Sequence, residues 1–409
     1  MALKVLVLGA TGSTGTSVVN ALLADPAAFS VEALVRPTSA SAPKVEALRA
    51  RGVGIRVAEL TDPLERLVEA LTGIDVVVST IGPAGILDQI PLATAAKQAG
   101  VKRFVPCAYI TVTPPGGVMM IRDQKQKVYE HIFRLHLPYT IVDIGYWYQL
   151  SFPCVPSGRY DYASFSPSWS TRIHAGGTAR NMLVDARDIG RHIALIIQDE
   201  RTLNRYVAAY GEVLTEEEVF RLAEDQAGEK IVRRYISADE LTAAHKRFTT
   251  LGTTSPTDPT YILPRMLFDY IYTKYVREDN TPEYAKYLGY LDASELYPEF
   301  KPITFREFLD RSVQSQSRKN TPGNELQALS LGLPAQQPDF SSFNLDTELS
   351  PASVFLTTPI NLPSNCAALA SSIGGTTSSM SAVNITFEDC GTPFTICRCG
   401  DATMTLETL

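Results

Sequence analysis

Long apolar runs are missing from this 409-residue chain: nothing approaches the roughly 20 consecutive apolar residues of a membrane-spanning helix. The apolar run near the N-terminus, LKVLVLGA, is too short for a secretory hydrophobic segment and leads straight into a glycine loop. Basic clusters are missing as well. Residues 1–319 carry 36 basic and 36 acidic side chains, so the electrostatic footprint of a nucleic-acid binder is absent, and the net charge of -7 comes from residues 320–409, with one basic and eight acidic side chains. Metal-ligand patterns are scarce too. His131 and His136 are five apart and do not share a helical face. With 45% apolar residues the chain holds enough material for one large or two medium cores, and a cytoplasmic, membrane-free body is expected.

Cysteine is sparse in that body, where Cys107 and Cys154 stand alone. Cys366, Cys390, Cys397 and Cys399 crowd the last 44 residues, beside a glycosylation acceptor at Asn384-Ile385-Thr386. The spacing Cys390-x6-Cys397-x-Cys399 fits no common zinc pattern, so a disulfide-type or inert tail is favoured over a metal site, and no metal is expected anywhere.

What is present begins with alternation. VLVLG (5–9), VEALV (31–35), GIRVA (54–58), IDVVVST (74–80), RFVPC (103–107) and YTIVDI (139–144) read as buried strands. Segments 86–99 and 122–136 have the length and spacing of amphipathic helices. Strand and helix in turn predict an α/β, doubly wound parallel sheet of the dinucleotide-binding (Rossmann) kind over residues 1–150. From 151 to 312 the alternation loosens into a smaller α/β lobe dense in rings: Tyr146, Trp147, Tyr148, Phe152, Tyr160, Tyr162, Phe165 and Trp169. These rings fit either a substrate pocket or the core of that lobe. Residues 313–350 have linker composition, and 351–409 form a Ser/Thr- and Cys-containing appendix.

The first strand runs into GATGSTG, with Gly9, Gly12 and Gly15 three apart and a helical pattern starting at once. Such glycines allow a tight turn, close approach of a pyrophosphate and close helix–strand packing. The helix N-terminus then faces the phosphates, which makes Thr11, Ser13 and Thr14 candidate contacts beside the glycines. An NAD site ordinarily ends its second strand in Asp or Glu. Here the strand ends Leu34-Val35-Arg36-Pro37, and a guanidinium there, with Lys44 nearby, suits a 2′-phosphate. NADP(H) is therefore the expected cofactor.

GATGSTG, VRPTSASAPK, IDVVVSTIG, ILDQ, AAKQAGVKRFVP, KQKVYEHIFRLHLPYT and DIGRHIALIIQDERTLNR together resemble, in order and spacing, the isoflavone reductase-like branch of the NmrA-type, atypical short-chain dehydrogenase family, over about residues 3–312. The resemblance implies an NADPH-dependent reductase of a small aromatic or polyketide-like metabolite. It further implies that Lys125 is the catalytic amine, that Thr80, Ile81 and Gly82 are strand-end residues beside the nicotinamide ribose, and that Gln89 is a polar residue near them. An ammonium in a partly dry cleft suits the oxygen that gains charge when hydride reaches an enone, a quinone methide or a benzylic centre. An alternative is a redox sensor that binds the dinucleotide without turnover and signals to a protein partner. The sequence is compatible with a homo-oligomer.

Several features depart from that pattern. Related reductases read FxPSEFG where this chain has Phe104-Val105-Pro106-Cys107-Ala108-Tyr109-Ile110, and the following TVTPPGGVMM has the composition of a lid. Cys107 reads as a small buried residue rather than a reactive thiol. The Tyr270-x-x-x-Lys274 match to the dyad of other short-chain dehydrogenases falls late in the chain and is not expected at the strand ends.

Overall fold

The computed structural model describes residues 2–158, 171–256, 258–316, 382–385, 394–399 and 403–408. The chain forms two compact units, Met1–Ser341 and Ser342–Leu409. The first opens with β1 (Leu3–Leu8), α1 (Ser13–Leu23), β2 (Phe29–Val35), α2 (Pro43–Ala50), β3 (Gly54–Val57), α3 (Leu64–Leu71), β4 (Val76–Ser79), α4 (Gln89–Gln98), β5 (Arg103–Val105), α5 (Met120–Arg134) and β6 (Thr140–Ile144). All six anticipated strands are present. Five form a parallel sheet in the order β3-β2-β1-β4-β5, so the connection reverses direction between β1 and β4 and leaves a crevice at the carboxyl ends there.

Alternate side chains explain why these runs are apolar throughout. Val5, Val7, Val76 and Val78 enter one core with α1, while Leu6, Leu8 and Val77 enter the opposite core with α3, α4 and α5.

The chain continues through β7 (Tyr146–Trp147), β8 (Arg172–His174), β9 (Arg180–Val184), α6 (Ala186–Ile196), β10 (Arg205–Ala209), β11 (Glu212–Thr215), α7 (Glu216–Ala227), β12 (Arg234–Ile236), α8 (Ala238–Thr254), α9 (Pro259–Ile271), α10 (Pro282–Tyr287), β13 (Leu291–Asp292), α11 (Ala293–Leu296) and α12 (Phe305–Gln316). Strands from beyond residue 150 extend the sheet. A parallel bridge joins Phe104 to Tyr139, β10 pairs in parallel with β6, and β13 with β10. Helix α6 packs on α1 so closely that a Cβ on Gly190 would lie 2.0 Å from the Ser17 carbonyl oxygen. The Ser17 hydroxyl fastens the pair, donating to the Arg187 carbonyl at 3.0 Å and accepting from the Gly190 N–H at 2.9 Å.

The remaining strands build the smaller lobe: β9 runs antiparallel to β11 and parallel to β7, and β8 pairs with β12. Capping boxes, Thr215 with Glu218 and Ser237 with Glu240, start α7 and α8. Of the anticipated rings, Tyr148 and Phe152 belong to this lobe's core with Phe220, Phe305 and Phe308, and Trp147 belongs to the α1 side of the sheet. Tyr160, Tyr162, Phe165 and Trp169 lie outside the described residues. Helix α12 runs to Gln316, past the start of the expected linker.

The second unit contains β14 (Ala382–Ile385), β15 (Phe394–Cys399) and β16 (Thr403–Thr408), paired antiparallel in that order. Asn384 falls in β14, and Cys397 and Cys399 lie two apart on β15. Cys366, Cys390 and Thr386 are outside the described residues. Among the described residues no helix is long and apolar enough to cross a membrane.

Candidate active site

The loop after β1 has the geometry its glycines predict. Gly9 takes φ +79°, and a Cβ on it would stand 2.7 Å from the Thr80 carbonyl oxygen. A Cβ on Gly15 would stand 2.1 Å from the Gly9 carbonyl oxygen, so only glycine lets the first turn of α1 fold down on the strand end. Gly12 is the N-cap of α1 and supplies no side-chain cap, and it is exposed, with Thr11, Ser13 and Thr14 half-buried beside it. The positive end of α1 thus faces outward, as a diphosphate requires. Arg36, directly after β2, and Lys44, in the first turn of α2, are both exposed.

From this loop a continuous line of contacts runs across the sheet ends. The Thr80 N–H and hydroxyl both donate to the Leu8 carbonyl, at 2.8 and 2.6 Å, which locks β4 against β1. Ile81 follows, half-buried, and Gly82 is exposed. The Cys107 thiol donates to the Ile81 carbonyl at 3.1 Å. Gln89 is buried and committed to the protein: its amide donates to the Ile86 carbonyl at 2.9 Å and accepts from the Cys107 N–H at 2.7 Å. The line ends at Lys125 on α5, 3% exposed, whose Nζ donates to the Cys107 carbonyl at 2.6 Å and lies 3.8 Å from its sulfur.

Three further residues near this line are absent from the sequence-based expectations. Asp143, fully buried on β6, accepts the Tyr290 hydroxyl at 2.5 Å. Burial raises its carboxyl above the ordinary value, although Arg122, the Tyr290 hydroxyl and Lys125 pull it down. A lone acid inside the apolar strand YTIVDI was the clue. Arg122 is buried on α5, donates to the Thr113 carbonyl at 3.1 Å and lies 5.2 Å above the Tyr129 ring. Tyr109 holds φ +49°, and its hydroxyl is buried without a hydrogen-bond partner among the described residues. Strained backbone of this kind is rare outside glycine.

Two expectations need correcting. The 111–120 segment is anchored rather than lid-like: Asp123 accepts from the Gly116 and Gly117 N–H groups, Asp269 accepts from the Met120 N–H, and Met119 is fully buried. Tyr270 and Lys274, not expected at the strand ends, pack on Tyr146, which follows β6 at the sheet end. They do not form a proton-sharing dyad: burial drives the Tyr270 phenol far up, and Lys274 lies over the face of Tyr146. His131 bonds Thr94 on α4 at 2.8 Å, and no group of metal-ligating side chains occurs among the described residues.

The model of the NmrA-like family matches residues 1–309. The chain is 41% identical over 320 residues to the asnovolin J 5′,6′-dehydrogenase of Aspergillus novofumigatus, covering 75% of this chain and 94% of that protein. It is 28% identical over 330 residues to a phenylcoumaran benzylic ether reductase of Ginkgo biloba, covering 76% and 99%. Among solved structures, leucoanthocyanidin reductase of Vitis vinifera in its binary complex with NADPH superposes with a TM-score of 0.63 at 23% identity, over 76% of this chain and 99% of that one, a likeness of fold.

Proposed function

The chain belongs to the NmrA-like family, and on that premise we propose that it is an NADPH-dependent oxidoreductase. Its substrate is a small aromatic or polyketide-like secondary metabolite, and hydride moves to or from a carbon conjugated with an oxygen. The coenzyme, when bound, would supply the hydride as NADPH or accept it as NADP+. The observation that carries this reading is the unbroken line from the Gly9 loop through Thr80, Ile81 and Cys107 to the Lys125 amine, which puts a phosphate cradle and a proton-bearing group along one end of one sheet.

The residues fit the cofactor. The Gly9 to Gly15 loop would hold the diphosphate, since side chains at Gly9 and Gly15 would run into the Thr80 and Gly9 carbonyl oxygens and force the loop out of this shape. Arg36 and Lys44 would meet the 2′-phosphate as exposed cations, with Thr80, Ile81 and Gly82 beside the nicotinamide ribose. Gln89 acts from behind, holding the Cys107 peptide in place. Lys125 stabilises the substrate oxygen as it gains charge and donates a proton to it from Nζ. Its bond to the Cys107 carbonyl orients the amine and leaves its other hydrogens for substrate.

The dehydrogenase relative favours a second direction, the same site run toward desaturation. One experiment separates the directions: purified protein is mixed with NADPH and a panel of aromatic enones, and with NADP+ and their saturated counterparts, while absorbance at the nicotinamide band is followed. Binding of NADPH with no turnover in either direction favours a redox sensor.

A further inference from the structure

We propose that Lys274 is a second substrate-binding amine: laid on the Tyr146 ring at the end of β6, it recognises an acidic oxygen, such as an enolate, phenolate or carboxylate, carried by the flat substrate. The proposal rests on the oxidoreductase reading and deepens it.

Lys274 is 3% exposed, yet among the described residues its Nζ has no hydrogen-bond acceptor and no carboxylate at ion-pair distance. Its neighbours are rings. Nζ lies 3.2 Å from the centroid of Tyr146 and 4.6 Å from that of Tyr275. Buried ammonium groups are ordinarily paired, because leaving water is costly and a ring face returns only part of that cost. The nearest acid in its electrostatic surroundings, Glu216, is already engaged: its two oxygens accept from the His174 N–H at 2.6 Å and meet His174 Nδ1 at 2.9 Å. A buried amine whose contacts among the described residues are aromatic is suited to receive an anion that arrives with a flat molecule.

The backbone is arranged for it. Lys274 lies in a π-helical turn, Tyr272–Val276, that continues α9, a local irregularity that occurs frequently at functional sites. Tyr146, Tyr270 and Tyr275 are each half-buried; Tyr275 is stacked on His174 at 5.0 Å, and Tyr146 carries Lys274 on its face. Tyr270 sits 5.7 Å from Tyr146 and lies in the electrostatic field of Cys107, which is the residue Lys125 grips. Lys125 on α5 thus grips the peptide that follows β5, and Lys274 lies on the ring that follows β6. Burial also pulls the Lys274 amine down to about 7, against an opposing pull from Glu216. The other titratable groups around it are His174 on β8 and the three phenols, which burial keeps neutral.

The test uses two probes of one shape, 2-naphthoate and methyl 2-naphthyl ketone, titrated calorimetrically into the full chain with NADP+ present. The expected result is at least tenfold tighter binding of the carboxylate by the unaltered protein. Lys274→Met should erase that preference, change ketone affinity less than twofold and leave NADPH affinity unchanged, and Lys274→Arg should restore part of it. Equal affinities in the unaltered protein, parallel loss of both probes in Lys274→Met, or binding of neither probe overturns the proposal. If Lys274→Met does not fold, the comparison in the unaltered protein decides alone. Failure of the oxidoreductase reading shows separately, as absence of turnover with either form of the coenzyme, and if NADPH does not bind the probes are compared on the chain without coenzyme.

Discussion

Lys125 and Cys107 hold each other in place across the sheet end: the lysine donates to the Cys107 carbonyl at 2.6 Å while the cysteine thiol is turned to the Ile81 carbonyl. The amine is thereby fixed before substrate arrives. Lys125→Met should lower single-turnover hydride transfer by about 10²–10⁴-fold, the range of a lost general acid. NADPH affinity, measured by calorimetry, should stay within a few-fold, and unchanged transfer would remove Lys125 from the chemistry.

Arg36 stands exposed immediately past β2, placed for a 2′-phosphate. Arg36→Ala should narrow the NADPH-over-NADH preference by about 10- to 100-fold, the worth of a charge-assisted hydrogen bond. The loss should fall on NADPH affinity, with NADH affinity little changed, as direct titration of both coenzymes will report.

The two tightest glycine contacts should fail differently. Gly15→Ala drives a methyl to 2.1 Å from the Gly9 carbonyl oxygen and should abolish coenzyme binding. Gly190→Ala, 2.0 Å from the Ser17 carbonyl oxygen, separates α1 from α6. It should cost about 1–3 kcal/mol or more as an overpacked contact, seen as a lower urea midpoint.

Acid stability should carry the mark of Glu224. Burial would raise this carboxyl, but hydrogen bonds from Arg233, the Ile231 N–H and Lys230 outweigh it and hold the value at about 2. A folded value below the unfolded one stabilises at pH above about 4.5, and the benefit fades as pH falls toward 2; by linkage it amounts to about 3 kcal/mol at neutrality. Glu224→Gln should therefore be less stable at pH 7 and should unfold with a shallower pH dependence between those limits.

A chain ending at Lys319 keeps α12, whose Phe305, Phe308 and Leu309 fill the smaller lobe. It should bind NADPH as tightly as the full chain and melt within a few degrees of it. Loss of either property would make the second unit integral to the first.

Much of this molecule was legible where the determinants are local. VVVS and TIVDI are apolar because both faces of a parallel strand are covered, and the glycine triplet announces a turn that needs no distant partner. Contacts between remote residues left no such trace. Nothing in the sequence of β10 says that it will lie against β6, and nothing in Tyr270-x-x-x-Lys274 says that a π turn will carry the lysine onto a ring 128 positions earlier. The resemblance puts Gln89 near Thr80, Ile81 and Gly82 but does not tell where its side chain is committed: it bonds two buried backbone groups, the Cys107 N–H and the Ile86 carbonyl, that need partners.

The late arrival of β10 and β13 in the sheet begun by β1 bears on how the protein is made. A nascent polypeptide leaving the ribosome with its glycine loop complete still offers β6 as a raw edge until residues 205–209 emerge, and β10 stays open until residues 291–292 follow. Synthesis near 5–20 residues per second leaves those edges unsheltered for seconds, long enough for chaperone capture to decide yield in a foreign host.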